Sequence, residues 1–128
     1  DSVGYNYRMP NLNAALGLAQ IEYFDTILDS KRSLAKLYRD HFEKTTIEYI
    51  DERENTKANF WLNSVITKSK DERDKLLVEL NDARIGARPL WRPIHELNLS
   101  EYILPFRLVN TDWLYNRVIS LPSTPILK

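Results

Sequence analysis

Phe60-Trp61-Leu62-Asn63-Ser64-Val65-Ile66-Thr67 is followed, after Lys68, by Ser69-Lys70-Asp71-Glu72. The first stretch is dominated by aromatic and β-branched side chains, which fit a pleated, half-buried surface, and it is the strongest strand signal in the chain. The second has the Ser-x-x-Glu form in which a hydroxyl and a carboxylate satisfy the free amides of a helix start. Leu76, Leu77, Leu80 and Ala83 continue that helix at spacings that share one face, and Gly86 is the expected closing residue. A strand leading straight into a capped helix makes the chain a mixed α and β protein. Its 128 residues suffice for one domain with a real core and are too few for two ordinary ones.

Upstream of this stretch, residues 46–50 read as a short strand, and the charged segment 51–57 as an exposed connection. The simplest pairing of the two strands is antiparallel. Between residues 11 and 43 there is no proline, and Leu12, Ala15, Leu16, Ala19, Tyr23, Ile27, Leu34, Leu37, Tyr38 and Phe42 recur mostly three and four apart, a helical stripe. Asn11 is placed to cap this helix after Pro10, Gly17 suits a close crossing by another element, and Ser30 to Ser33 is the expected place for a bend. So long a helix exceeds the needs of a small domain and is expected to join two bodies or meet a partner chain.

Downstream, residues 87–91 return as a strand, irregular or at an edge because of Pro89, and 92–110 form a polar surface loop. Asn110 or Thr111 caps a brief helix through Trp113, Leu114 and Tyr115, and 118–122 form the last strand. The predicted fold is therefore α+β. A long N-terminal helix precedes a small, mostly antiparallel sheet with helices on one face, divided as 1–44 and 45–128.

Lys and Arg total 18 and Asp and Glu total 18, which removes the broad attraction that nucleic acid or an anionic membrane exploits. The absence of cysteine excludes disulfides, thiolate catalysis and cysteine-ligated metal. No signal peptide or apolar span of membrane length is present, so the cytoplasm is the location reached by elimination. The chain starts at Asp1 without an initiator Met and stops directly after a strand-like run, and both ends are expected to be cuts.

Two regions could carry chemistry. In Gly4-Tyr5-Asn6-Tyr7-Arg8-Met9-Pro10-Asn11, an amide and a guanidinium stand two positions apart on one face of an extended loop. They form a candidate clamp for a phosphate and a carboxylate, or serve only to cap the next helix. In Arg88-Pro89-Leu90-Trp91-Arg92-Pro93-Ile94-His95, two arginines, a tryptophan and a histidine converge on rigid backbone. Such a set can grip a phosphorylated or sugar-like ligand. The competing reading is an arginine paired with Glu96 and a tryptophan in the core. His41, between packing residues, reads as structural, and two histidines are too few for a histidine-rich metal site. The aromatic residues Tyr49, Phe60 and Trp61 do not make an RNA-binding surface without a basic strand, and with 3 glycines there is no phosphate-binding glycine loop.

The segment Gly4-Tyr5-Asn6-Tyr7-Arg8-Met9-Pro10-Asn11-Leu12-Asn13-Ala14-Ala15-Leu16-Gly17 resembles the end of the large domain in PLP-dependent nucleotide-sugar aminotransferases of the DegT/DnrJ/EryC1/StrS family. The likeness continues through Asn59-Phe60-Trp61-Leu62, Ile85-Gly86-Ala87 with Arg88 to His95, and Val118-Ile119-Ser120-Leu121-Pro122. The resemblance implies the C-terminal small domain of a fold-type I aminotransferase. The intact enzyme would use pyridoxal phosphate to move an amino group from glutamate to a nucleotide-linked keto sugar, acting as a homodimer. Asn6 would bind the cofactor phosphate of the neighbouring subunit, Arg8 the glutamate carboxylate, and Arg88 and His95 the sugar substrate. In that family the cofactor's lysine and the acid facing its ring nitrogen lie upstream of the glycine-tyrosine-asparagine segment. The resemblance therefore places no catalytic residue in this chain. It also leads one to expect a further helix after Leu121-Pro122, so that 45–128 is a domain truncated at its end. A non-catalytic nucleotide-sugar binding module and a dimerisation module remain open alternatives.

Overall fold

The computed structural model describes residues 7–97 and 108–125. In chain order these form helices α1 (Asn11–Glu22) and α2 (Phe24–Phe42), strands β1 (Glu48–Tyr49) and β2 (Asn63–Ile66), helix α3 (Lys70–Asp82) and strand β3 (Arg88–Pro89). A single 3₁₀ turn (Ile94–Glu96), helix α4 (Val109–Tyr115) and strand β4 (Val118–Leu121) complete the order. The four strands lie in the order β1-β2-β4-β3, and every pair is antiparallel. The α+β architecture and the antiparallel β1-β2 pair are those the sequence predicts.

Alternation along the central pair sets the layers. β2 and β4 pair Val65 with Ile119 and Ser64 with Ser120, so apolar side chains meet on one face and hydroxyls on the other. Val65 and Ile119 are fully buried and form a core with Ala87 and Leu121. Against it pack Tyr38 and Phe42 of α2, Leu76, Leu77 and Leu80 of α3, and Ile47 and Tyr49 around β1. A slip of one residue in either strand would turn Val65 or Ile119 away from both helices, which is why this register is strongly specified.

Polar contacts secure the same layer. The Tyr38 hydroxyl donates to the Pro122 carbonyl at 3.1 Å and the Lys31 ammonium to the Ser123 carbonyl at 2.6 Å, tying α2 to the end of β4. Buried Asn63 accepts from the Tyr49 hydroxyl at 2.6 Å and donates from Nδ2 to Ser123 Oγ at 3.0 Å. Burial pushes the Tyr49 hydroxyl up to about 12. Arg73 of α3 is buried, donates to the Tyr115 carbonyl at 3.2 Å and lies over the Tyr115 ring, joining α3 to α4. Its Nε stands 2.6 Å from Asp74 Oδ1, but the N–H is not aimed at that oxygen, so the contact is one of charge only.

Several local expectations are corrected. The long helix is two helices, and the break falls at Tyr23 (φ −102°, ψ 6°) while Ser30 to Ser33 run unbroken through α2. Pro10 occupies the cap position and Asn11 is already helical, with no side-chain cap. A Cβ on Gly17 would meet nothing within 4 Å, so no described element crosses there. Ser69 does cap α3, its Oγ accepting from the Glu72 amide at 3.2 Å, but Glu72 reaches back to the Lys68 amide at 2.6 Å and not to that of Ser69. The left-handed residue that closes α3 is Arg84 (φ 61°), not Gly86. The amides of Arg84 and Ile85 donate to the Asn81 and Leu80 carbonyls at 2.9 and 2.8 Å, the pair of bonds that defines a Schellman end. α4 begins at Val109, before either proposed capping residue, and carries no side-chain cap.

Candidate functional site

Asn6 lies outside the described residues. Arg8 is exposed just ahead of α1, a helix that buries none of its own residues. Arg88 occupies the edge strand β3 opposite Ser120, which in turn faces Ser64 with the two hydroxyls 3.3 Å apart. Arg88 therefore lies on the same face of the sheet as a row of small hydroxyls. It is exposed, and among the described residues it has no hydrogen-bond or ion-pair partner. An unpaired arginine on a strand edge, next to hydroxyls, can bind phosphate or carboxylate oxygens without first breaking an internal ion pair.

His95 sits in the 3₁₀ turn and is mostly buried, with its Nε2 2.8 Å from Asp112 Oδ1 of α4. The carboxylate accepts, so the hydrogen is assigned to Nε2, and Nδ1 is left buried without a partner. Asp112 thus fixes both the ring orientation and the tautomer of His95. Nothing in the sequence marks Asp112 for this role, because a separation of 17 residues from His95 offers no periodic signal. Glu96 faces Arg92 at 3.6 Å, so part of the competing structural reading is realised. Its other half is not, because Trp91 is 70% exposed instead of lying in the core.

Trp91 stacks on Trp61, itself 63% exposed, with ring centroids 5.9 Å apart and an interplanar angle of 26°. The β3-β4 register, if continued, would put Trp91 beside Arg117, whereas the β2-β4 register puts Trp61 beside Ser123 at the other end of β4. The chain after β3 therefore turns back across the sheet. Trp61 is presented by an unusual backbone: Phe60, 7% exposed, has φ 47°, and the Asn59 carboxamide oxygen accepts from the Trp61 amide at 3.0 Å. A left-handed aromatic residue is uncommon and strained, and here it sends one aromatic ring into the protein and the next one out.

The oxygen and nitrogen donors of His95, Glu96 and Asp112 lie within 4.8 Å of one another. They are engaged in the Asp112 hydrogen bond and the Arg92 pairing just described, so these groups already serve one another. Lys31 lines a pocket of about 140 Å³ with Phe24, Ile27, Leu28, Asn59 and Trp61, but its ammonium is used by the Ser123 carbonyl and no carboxylate shares the pocket. No catalytic step is assigned to the described residues.

Comparison with known proteins agrees with the architecture. The description of the DegT/DnrJ/EryC1/StrS aminotransferase family matches residues 1–128. A GDP-perosamine synthase of Vibrio cholerae is 38% identical over 98% of this chain and 35% of its own length. The GDP-perosamine synthase of Escherichia coli O157:H7 is 34% identical over 99% of the chain and 34% of its own length. This chain therefore spans about a third of these relatives. Among solved structures, Helicobacter pylori PseC, an aminotransferase involved in pseudoaminic acid biosynthesis, superposes with TM-score 0.86 at 21% identity, covering all of this chain and 36% of that one. Sugar aminotransferase CalS13 from Micromonospora echinospora gives 0.84 at 21% identity, covering 98% of this chain and 33% of its own. These last two similarities concern the fold. With a family match over its whole length and an architecture that agrees, the chain belongs to the DegT/DnrJ/EryC1/StrS aminotransferase family.

Proposed function

We propose that this chain is the C-terminal part of a pyridoxal phosphate-dependent enzyme that moves an amino group from glutamate to a nucleotide-linked keto sugar. The observation that carries the reading is the family match over all 128 residues, reinforced by two GDP-perosamine synthases above 30% identity. The coverage of about a third of those relatives agrees with the cofactor's lysine and acid residing elsewhere in the polypeptide. In this reading residues 1–44 are the cofactor-phosphate loop and connecting helices, and 45–128 the small domain, a division of roles and not of cores, since α2 packs on the sheet. The enzyme works in the cytoplasm as a homodimer. No helix among the described residues is long and apolar enough to cross a membrane.

The roles follow from chemistry. The Asn6 amide hydrogen-bonds the cofactor phosphate, and Arg8 forms a forked pair with the glutamate carboxylate. Arg88, open at the edge of β3, meets the phosphates of the nucleotide-sugar. His95, locked by Asp112, shapes the wall beside it. A non-catalytic binding module is the second reading, favoured by the exposed position of Arg88 on the edge strand β3.

The test uses the full-length polypeptide loaded with pyridoxal phosphate and follows cofactor absorbance as glutamate is added. A glutamate-dependent shift is expected. Arg8→Ala should raise the glutamate concentration required by roughly 10²-fold, in keeping with loss of a charge-assisted forked pair. Asn6→Ala should weaken cofactor retention. A loaded protein that shows no shift with glutamate would remove the aminotransferase reading and leave the binding module.

A further inference from the structure

We infer that Arg73 is a positioning residue that sets, through α4, the place and tautomer of His95, an inference that rests on the function proposed above for what His95 faces. The links lie on one path. Arg73 of α3 donates from Nη1 to the Tyr115 carbonyl at 3.2 Å, and its guanidinium lies 5.8 Å from the centre of the Tyr115 ring. Tyr115 is the last residue of α4, so its carbonyl is one of those that a helix end leaves without an internal partner. Asp112 stands three residues earlier, on the same side of the helix, and its Oδ1 is 2.8 Å from His95 Nε2. Helix α4 thus meets Arg73 at its end and His95 one turn before.

Two observations give Arg73 this role in place of plain packing. First, α4 has 7 residues and no side-chain cap, and a helix so short does not hold its shape alone, so its place depends on what grips it. Thr67 and Lys68 grip the chain just beyond it, the Thr67 hydroxyl donating to the Arg117 carbonyl at 3.0 Å and Arg117 Nε to the Lys68 carbonyl at 3.2 Å, whereas Arg73 hydrogen-bonds α4 itself. Second, Arg73 is 5% exposed, and its Nε is buried without a hydrogen-bond partner among the described residues. An apolar side chain of similar volume would fill the space without that cost, which marks the guanidinium as serving the geometry of α4. At the far end of the path, His95 gives Nε2 to Asp112 and keeps Nδ1 buried, so it presents a fixed ring to whatever lies beside it. A shift of α4 would release Nε2 and let the ring change tautomer.

The full-length polypeptide is labelled with heavy-nitrogen histidine for NMR, and the His95 signals are those lost in His95→Gln. The parent is expected to show two widely separated ring-nitrogen signals, Nε2 protonated and Nδ1 bare. Asp112→Ala should draw them together as the tautomers exchange. Arg73→Met, which keeps the bulk and removes the donors, should reproduce most of that collapse. Arg73→Lys, which keeps a donor and a cation over the Tyr115 ring, should restore the parent pattern. Arg73→Met combined with Asp112→Ala should go no further than Asp112→Ala, as changes on one path do. A parent pattern in Arg73→Met, even with lower thermal stability, overturns the positioning role, marks Arg73 as packing and leaves the aminotransferase reading untouched. If Arg73→Met does not fold, Tyr115→Leu decides by removing the ring beneath the guanidinium: a collapse supports the role and an unchanged pattern overturns it. A parent that binds pyridoxal phosphate but gives no absorbance shift with glutamate removes the aminotransferase reading, and with it the assignment of His95 to a sugar-binding wall, whatever pattern the imidazole gives.

Discussion

Helix α1 and strand β4 are both rich in apolar residues, and the protein treats them in opposite ways. All four residues of β4 are buried, with Ile119 and Leu121 in the core under two helices. In α1, Leu12, Leu16, Leu18 and Ile21 are 59% to 79% exposed, and no residue is buried. The apolar residues of α1 therefore stabilise nothing within the described structure, while those of β4 contribute the centre of it. Burial of apolar area stabilises only when a complementary surface is within reach, and the described residues provide one for β4 and α2 but none for α1.

The contrast can be broken most severely at its buried pole. Ile119→Ala should cost about 2–5 kcal/mol, measured as a fall in the urea midpoint, because the fully buried side chain leaves a cavity under two helices. A loss below about 1 kcal/mol would show that the sheet is not the stabilising centre. Asn63→Ala should cost roughly 1–3 kcal/mol, since the Tyr49 hydroxyl loses its acceptor and Ser123 loses a donor inside the layer.

The Tyr49 hydroxyl gives the buried region an alkaline limit. Its folded value of about 12 lies above the ordinary value of 10.0, so between them the unfolded chain releases a proton that the folded chain retains. The stability this provides is fully present below pH 10.0, and it is lost as pH rises through the folded value. Denaturation followed from pH 9 to about 12 should show that decline, and Tyr49→Phe should flatten it.

Smaller effects sharpen the comparison. Arg84→Gly should stabilise the protein by about 0.5–1 kcal/mol by relieving a left-handed residue at the end of α3. Urea denaturation should show little change for Gly86→Ala, where an added Cβ meets nothing. Leu16→Ala in α1 should change stability by less than about 0.5 kcal/mol, and the α1 amides should exchange with deuterium far faster than those of β2 and β4. Strong protection of α1 in the isolated chain would show that it has found a partner.

How far the sequence could be read depended on the range of the interaction. The strand at Asn63–Ile66, the capped start of α3 and the order of elements were legible because alternation and capping are local. Arg84 taking the left-handed position ahead of Gly86 was less so, since the choice depends on where the last turn of α3 docks against the core. Arg88 and His95 were visible as a polar segment with chemical potential. Their different environments, an open strand edge and a turn clamped by Asp112, were not visible, because the edge is defined by β4 and the clamp by α4, both distant in the chain.

By itself the sequence determined the α+β class, the helix and strand periods, the balanced charge and a series of segments resembling one aminotransferase family, all properties of local pattern and residue order. Only the tertiary structure decided that α1 is left uncovered by the described residues, that Trp91 returns to stack on Trp61, and that Asp112 holds His95. Those outcomes depend on which surfaces meet once the sheet has closed, and that is set by packing between residues far apart in the chain.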